Sequence, residues 1–241
     1  MVGNYGSGKT EISVNLAFEL RSRGHDVSIA DLDVVNPYFR CREERESLER
    51  NGIRVVVPEG DRQFADLPII LPEIKGMLQD ERHDAPYSIF DVGGNDVGAR
   101  VLSAMNSHLG DRPHCLLMVI NTNRPFTSTS EGCLKMMSDI EKTASLKVTG
   151  LVANSHLMEY TTPDVIHAGY EIVHQVSGES GVPLEFVAVA KRFAGDPVVQ
   201  SIGAPLLVLN RRMTPPWSAP KPAYGELRKT DGVISPGEIG S

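Results

Sequence analysis

The sequence predicts an α/β protein built on a doubly wound, mostly parallel sheet. Two observations carry that prediction. Short apolar runs alternate with helix-patterned stretches between residues 10 and 209, the order produced when each strand is followed by a crossover helix. The first of those helices opens directly behind Gly3-Asn4-Tyr5-Gly6-Ser7-Gly8-Lys9-Thr10, a glycine-rich turn of the kind such sheets carry at the carboxyl end of a strand. With 241 residues and 41% hydrophobic content, one large domain can bury a full core.

Each element follows from local pattern. Residues 10–23 read as a helix, because Ile12, Leu16, Ala17 and Leu20 share a face and Gly24 stops it. Residues 26–31 (DVSIAD) form a short apolar strand that ends in acid. Residues 40–51 are charged and helical, closed by Gly52, and residues 53–57 (IRVVV) are strand-like. A helix over 71–80 precedes a strand over 87–90 (YSIF), which runs into Asp91. Helices over 97–107 and 128–144 flank a buried strand over 115–120 (CLLMVI). The strand 147–153 (KVTGLVA) leads to a helix over 162–178, capped by Thr161 or Thr162, with Pro163 in its first turn. A strand over 183–189 and a last apolar segment over 204–209 complete the domain, and its parallel crossovers should be right-handed.

Composition changes after Asn210. Pro215, Pro216, Pro220, Pro222 and Pro236 accompany several glycines and few large aliphatics. The expected division is a nucleotide-binding domain over 1–209 and an extended Pro/Gly-rich tail over 210–241. Trp217, the single tryptophan, would pin that tail to the domain or to a partner.

Composition also excludes some classes. The net charge is -7 and the pI about 5.5, which makes nucleic acid an unlikely partner. Cys41, Cys115 and Cys133 are far apart and form no C-x-x-C pair, so neither a zinc site nor a disulfide framework has support, and a reducing, cytoplasmic compartment fits. No apolar run is long enough to span a bilayer. The histidines form neither H-x-x-x-H nor H-E-x-x-H. Arg40, Arg42, Arg45 and Arg50 interleave with Glu43, Glu44, Glu46 and Glu49, the pattern of a solvated helix with paired charges.

Four motifs carry chemistry. Residues 3–10 fit G-x-x-x-x-G-K-[ST], in which curled backbone N–H groups of Gly3, Asn4, Tyr5, Gly6, Ser7 and Gly8 cradle phosphate, Lys9 adds a charge for the β/γ-phosphates, and the Thr10 hydroxyl suits Mg²⁺. Only Met1 and Val2 precede the loop, so its launching strand looks truncated and the native chain is expected to begin upstream. Asp31-Leu32-Asp33 lies at a strand's carboxyl end, where an acid can hold a metal-bound water or orient an attacking one. Asp91-Val92-Gly93-Gly94 has the form of a magnesium-side acid followed by a γ-phosphate switch. Asn154, just past a buried strand, can donate to and accept from a purine edge, or simply form a turn. The guanine signature N-K-x-D is absent, since the chain reads Asn154-Ser155-His156-Leu157; this favours ATP.

In this order the motifs resemble the MinD/ParA branch of P-loop ATPases, within the CobQ/CobB/MinD/ParA nucleotide-binding domain family. The likeness runs from residue 3 to about residue 209. It includes a closing segment, Val187 to Lys191 through Asp196-Pro197 to Gly203-Ala204-Pro205, similar to the family's final strand, base-side loop and helix. The resemblance implies that Asp33 helps activate water, that Asp91 holds Mg²⁺, that Asn154 contacts adenine, and that Lys191 to Phe193, with Arg192 between them, border the base. It makes Lys9, Asp33 and Asp91 the catalytic set and Thr10, Asp33 and Asp91 the metal set. The family's usual loop is K-G-G-x-G-K-[ST], whose first lysine reaches a partner's phosphates; here Asn4 stands in its place. A homodimer is compatible with the resemblance but is not driven by that lysine. No cysteine follows Asp91 closely, so no iron–sulfur cluster is expected, and the tail has no amphipathic helix for membrane docking.

The function these readings predict is Mg-dependent ATP binding and hydrolysis, coupled to a conformational change read by a protein partner. The alternatives are a small-molecule kinase or synthetase of the dethiobiotin-synthetase-like type, with Tyr38, Arg40 and Arg100 lining a substrate site, and a metal-centre maturation GTPase. A nucleotide-sensing scaffold without turnover is opposed by the intact Lys9, Thr10 and Asp91.

Overall fold

A computed structural model describes residues 1–33, 44–56, 72–78, 87–110 and 112–213. Tyr38, Arg40, Cys41, Arg42, Glu43, His83 and Trp217 lie outside the described residues. The elements in chain order are α1 (Lys9–Ser22), β1 (Val27–Leu32), α2 (Arg45–Arg50), β2 (Arg54–Val56), α3 (Pro72–Leu78), β3 (Tyr87–Val92), α4 (Asn95–Leu109), β4 (Leu117–Ile120), α5 (Ser130–Ala144), β5 (Gly150–Ala153), α6 (Pro163–Ser180), β6 (Leu184–Ala190), α7 (Pro197–Gln200) and β7 (Leu206–Leu209). Single 3₁₀ turns occupy Met158–Tyr160 and Lys191–Phe193.

Every ladder among the described strands is parallel, as the alternation of strands and helices requires. The strands form two groups, β2-β1-β3 and β4-β5-β6-β7. Met1 and Val2 join them. The Met1 nitrogen donates to the Phe90 carbonyl (2.8 Å) and Val92 donates back to Met1 (3.4 Å). On the other side Val2 donates to Leu117 (2.9 Å) and accepts from Val119 (2.8 Å). These two residues therefore take the central strand position between β3 and β4, and the phosphate loop leaves that position at its carboxyl end.

Side chains alternate across the strands, so each strand feeds both faces. Val27 and Ile29 of β1 and Ile89 of β3 pack with Val14 and Ala17 of α1 and Leu48 of α2. Ala30, Leu32 and Val92 point the other way, into a larger cluster with Leu102, Met105, Cys133, Ile166, Val173 and Val176 from α4, α5 and α6. Ile12 of α1, fully buried, covers the second strand group through Val119, Val152, Ala188 and Leu207. Helix α1 thus straddles the join between the groups and is buried at Lys9, Thr10, Ile12, Ser13, Val14, Asn15 and Ala17. Truncating Ile12 to alanine at such a site costs about 2–5 kcal/mol.

Caps set the helix ends. Thr129 accepts from Gly132 at the start of α5, and Thr162 accepts from Val165 ahead of Pro163 at the start of α6. Among the described residues no helix is long and apolar enough to cross a membrane.

Candidate nucleotide site

The loop between Val2 and α1 is shaped by its glycines. Gly8 caps α1 at φ 90°, a left-handed conformation that glycine adopts freely. A Cβ there would also collide with the Asn154 side-chain amide. The loop closes on itself through Ser7 N–H to the Asn4 carbonyl (3.2 Å) and Ile12 N–H to the Gly8 carbonyl (3.0 Å). The Tyr5 N–H is taken by Asn4 Oδ1 (2.8 Å), and the loop runs into the positive end of a 14-residue helix, where anions are favoured. Lys9 is 7% exposed, and its ammonium donates to the carbonyls of Gly3 (3.3 Å) and Asn4 (3.1 Å). Burial lowers its pKa, while Asp91 and Asp33 support its charge.

The acids arrive from neighbouring strands. Asp31 and Asp91 are register partners in β1 and β3. Alternation turns both toward the α1 side, the side that Ile29 and Ile89 also face. Asp91 is fully buried. Its Oδ1 accepts from Ser13 Oγ (3.5 Å), and the Thr10 hydroxyl also bonds the carboxyl. Burial pushes its pKa up to about 7; Asp31 pushes the same way, while the Thr10 bond and Lys9 pull it down. Asp33 lies one residue past β1, with its N–H on Asp31 Oδ1 (3.2 Å). The Gly93-Gly94 backbone closes the group. A Cβ on Gly93 would stand 2.8 Å from Asp33 Oδ1, and one on Gly94 would stand 3.1 Å from the Tyr5 nitrogen and 3.4 Å from Lys9 Nζ. Lys9, Thr10, Asp33, Asp91 and Gly94 are therefore brought together at the mouth of the loop.

These residues fit a magnesium ion. Asp91 Oδ2 is a buried carboxylate oxygen with no hydrogen-bond partner, and the donors around it are hard oxygens, which Mg²⁺ prefers. Among the described residues no group of three His, Cys, Asp or Glu side chains forms a metal cage. Magnesium at such a loop needs none, since phosphates and water supply most of its ligands.

The opposite wall comes from the loops after β4 and β5. Asn154, 5% exposed, donates its amide to the Ser7 carbonyl (2.8 Å), so it grips the phosphate loop directly. Asn121 organises the wall: its Oδ1 accepts from Asn123 (3.0 Å) and His156 (3.3 Å), and its amide donates to the His156 carbonyl (3.2 Å). Arg124 Nε donates to the Gly6 carbonyl (3.2 Å), and Asn4 donates to the Pro125 carbonyl (2.7 Å). The His156 ring lies near Gly8, and burial, with Arg124 and Arg211 adding to it, lowers its pKa to about 4. Lys191 and Arg192 stand apart on an exposed turn. Arg192 bonds the Met158 carbonyl (3.2 Å) and lies over Phe193; among the described residues neither hydrogen-bonds the phosphate loop.

Sequence reasoning passed over Asn121, Arg124 and His156. The available signal was position: Asn121 begins directly after a buried strand, at the sheet end where ligands bind. Residues 210–213, counted by composition with the extended tail, lie along α1. Asn15 pairs with the Asn210 backbone through both its amide nitrogen (3.1 Å) and its oxygen (2.9 Å). The Glu11 carboxylate accepts from Arg212 (2.8 Å) and Met213 (2.9 Å), and Met213 is buried beside Val14.

Comparison with known proteins agrees with this geometry. The model of the CobQ/CobB/MinD/ParA nucleotide binding domain matches residues 3–162. A search of curated proteins gave no match. Among solved structures, FtsY from Mycoplasma mycoides superposes with a TM-score of 0.56 at 20% identity, covering 82% of this chain and 59% of that one. FtsY from Thermotoga maritima gives 0.55 at 20% identity, with 82% and 61% covered. The signal recognition particle 54 kDa protein from Aeropyrum pernix, in complex with GDP, gives 0.52 at 22% identity, with 77% and 39% covered. The chain thus spans about three fifths of the FtsY chains it resembles, and the likeness establishes a shared P-loop nucleotide-binding fold.

Proposed function

Since this chain belongs to the CobQ/CobB/MinD/ParA nucleotide-binding domain family, we propose that it is a magnesium-dependent ATPase whose nucleotide state is read by a protein partner. The observation that carries the reading is the unpartnered, buried Asp91 Oδ2 beside Thr10 and Lys9. A carboxylate so placed costs stability unless a cation completes it.

In this reading the loop amides and Lys9 bind the β- and γ-phosphates, and Thr10 and Asp91 hold the metal. Magnesium, when bound, supplies charge neutralisation on the phosphate oxygens. Asp33 orients the attacking water, since it sits past β1 with an oxygen against Gly93. Catalysis in such a site is mostly positioning and charge stabilisation. Gly93 and Gly94 carry the signal outward. Gly94 lies against Tyr5 and Lys9 and Gly93 against Asp33, so a γ-phosphate held by Lys9 bears on the start of α4. ATP is preferred because N-K-x-D is missing after β5, and Asn154, Lys191 and Arg192 border the base. A cytoplasmic site of action follows from the cysteine usage.

Phosphate release with purified protein, with ATP and GTP in competition, tests this. The reading predicts magnesium-dependent release from ATP with no added metabolite. Release only with a small-molecule acceptor would replace it with the kinase or synthetase reading, and preference for GTP would overturn the choice of nucleotide.

A further inference from the structure

Arg124 is a cation bonded to the phosphate loop that the proposed chemistry does not yet use. It lies in the loop after β4, 118 residues from Gly6 in sequence, and its place is closely specified. Arg124 N–H bonds the Asn121 carbonyl (3.1 Å), and Thr127 Oγ1 bonds the same carbonyl (2.8 Å). The Asn4 amide holds the next residue, Pro125, by its carbonyl. The two loops are thus stitched together at Asn4–Pro125 and at Gly6–Arg124. The Arg124 guanidinium carbon stands 2.9 Å, and Nη2 3.1 Å, from where a Gly6 Cβ would be. Only a residue without a side chain admits the guanidinium at that distance.

Among the described residues no carboxylate matches the charge on Arg124 with an ion pair, whereas Arg21, Arg23, Arg45, Arg50, Arg211 and Arg212 all have one. Its single recorded side-chain hydrogen bond uses Nε, which leaves the terminal nitrogens, the edge of the fork suited to phosphate oxygens. A fixed guanidinium with a free edge, laid against a loop built to bind anions, is arranged to meet a charge that arrives with the ligand.

We propose that Arg124 contacts the polyphosphate of the bound nucleotide from within the same chain, through its terminal guanidinium nitrogens. The contact adds a second cation to Lys9 from the opposite wall, so that binding selects for phosphate number and does not depend on a cation from another subunit. This rests on the nucleotide-binding reading above. Asn4 takes part by anchoring Pro125 and so aiming Arg124.

Titration calorimetry with ATP, ADP and AMP, and with the guanine series in parallel, tests it on the wild-type, Arg124→Ala and Arg124→Lys full chains. Loss of a charge-assisted contact predicts roughly tenfold to hundredfold weaker triphosphate binding in Arg124→Ala, little change for the monophosphate, partial recovery in Arg124→Lys, and without nucleotide only the small drop in melting temperature that losing the Gly6 bond brings. If Arg124 only braces Gly6, Arg124→Ala weakens all three nucleotides alike, which overturns the proposal. Equal triphosphate affinity in wild type and Arg124→Ala overturns it too, while leaving nucleotide binding intact. If the wild type binds no nucleotide, the functional reading itself falls and this inference with it.

Discussion

Replacing Asp91 with asparagine should stabilise the nucleotide-free protein at alkaline pH while removing its magnesium-dependent nucleotide binding. The folded carboxyl is raised from its ordinary 3.8 to about 7, chiefly by burial. Between those values the folded state keeps a proton that the unfolded chain has released. Stability therefore falls as pH rises through that window, and the full penalty stands above the folded pKa. At about 1.4 kcal/mol per pKa unit, the penalty is roughly 4 kcal/mol, of which roughly 3 develops between about pH 5 and about pH 8. The shift already nets the pull of Lys9 and Thr10 against the push of Asp31, and asparagine stands for the protonated form, so the difference should appear nearly whole. Urea denaturation of both proteins in EDTA, at the two pH values, measures it. Taking the difference from the variant cancels titrating groups that do not interact with Asp91, His156 among them, whose lowered pKa works with the opposite sign; the Met1 amino group beside Asp91, lowered to about 6 by burial, adds its own change. Identical pH dependence in the two proteins, or a variant less stable than wild type at about pH 8, would refute the reasoning.

Other consequences follow from the contacts around the loop. Glu11→Ala should cost about 2–3 kcal/mol, because the Arg212 and Met213 N–H groups lose their acceptor; denaturation would show it, and amide exchange at residues 212 and 213 should quicken. Unaltered exchange there would mean that the strap does not depend on Glu11. Asn154→Ala leaves the Ser7 carbonyl without its donor, with an expected loss of about 1–3 kcal/mol and faster exchange across residues 6–10. A variant that binds nucleotide as wild type does would show that this grip is dispensable.

The parts of the fold set by local pattern were legible, and those set by strand order were not. The alternation that gave the strand over 26–31 also put Asp31 and Asp91 on one side of the sheet, in register. Glycine stops, proline and threonine caps placed the helices to within a few residues. Strand β5 begins at Gly150 and not at Lys147. Val148 N–H bonds the Glu141 carboxylate, and pairing with β4 starts at Leu117↔Gly150; neither partner is visible from the run KVTGLVA alone. Arg124 was invisible for the same reason, since only the adjacency of the central strand position and β4 brings it to Gly6. The place of Asn154 just past a buried strand was legible, but that its amide meets the Ser7 carbonyl was not. Proline content describes residues 215–236 and says nothing of the Glu11 and Asn15 side chains, which hold Asn210, Arg212 and Met213 after β7.

The central claim is that Lys9, Thr10 and Asp91 form a working magnesium–nucleotide site. Its most direct test is phosphate release from ATP by the wild-type chain and by Lys9→Ala, each with magnesium and with EDTA. The account predicts release by the wild type with magnesium alone, and none by Lys9→Ala under either condition. Equal release by the two proteins, or release that persists in EDTA, would contradict it.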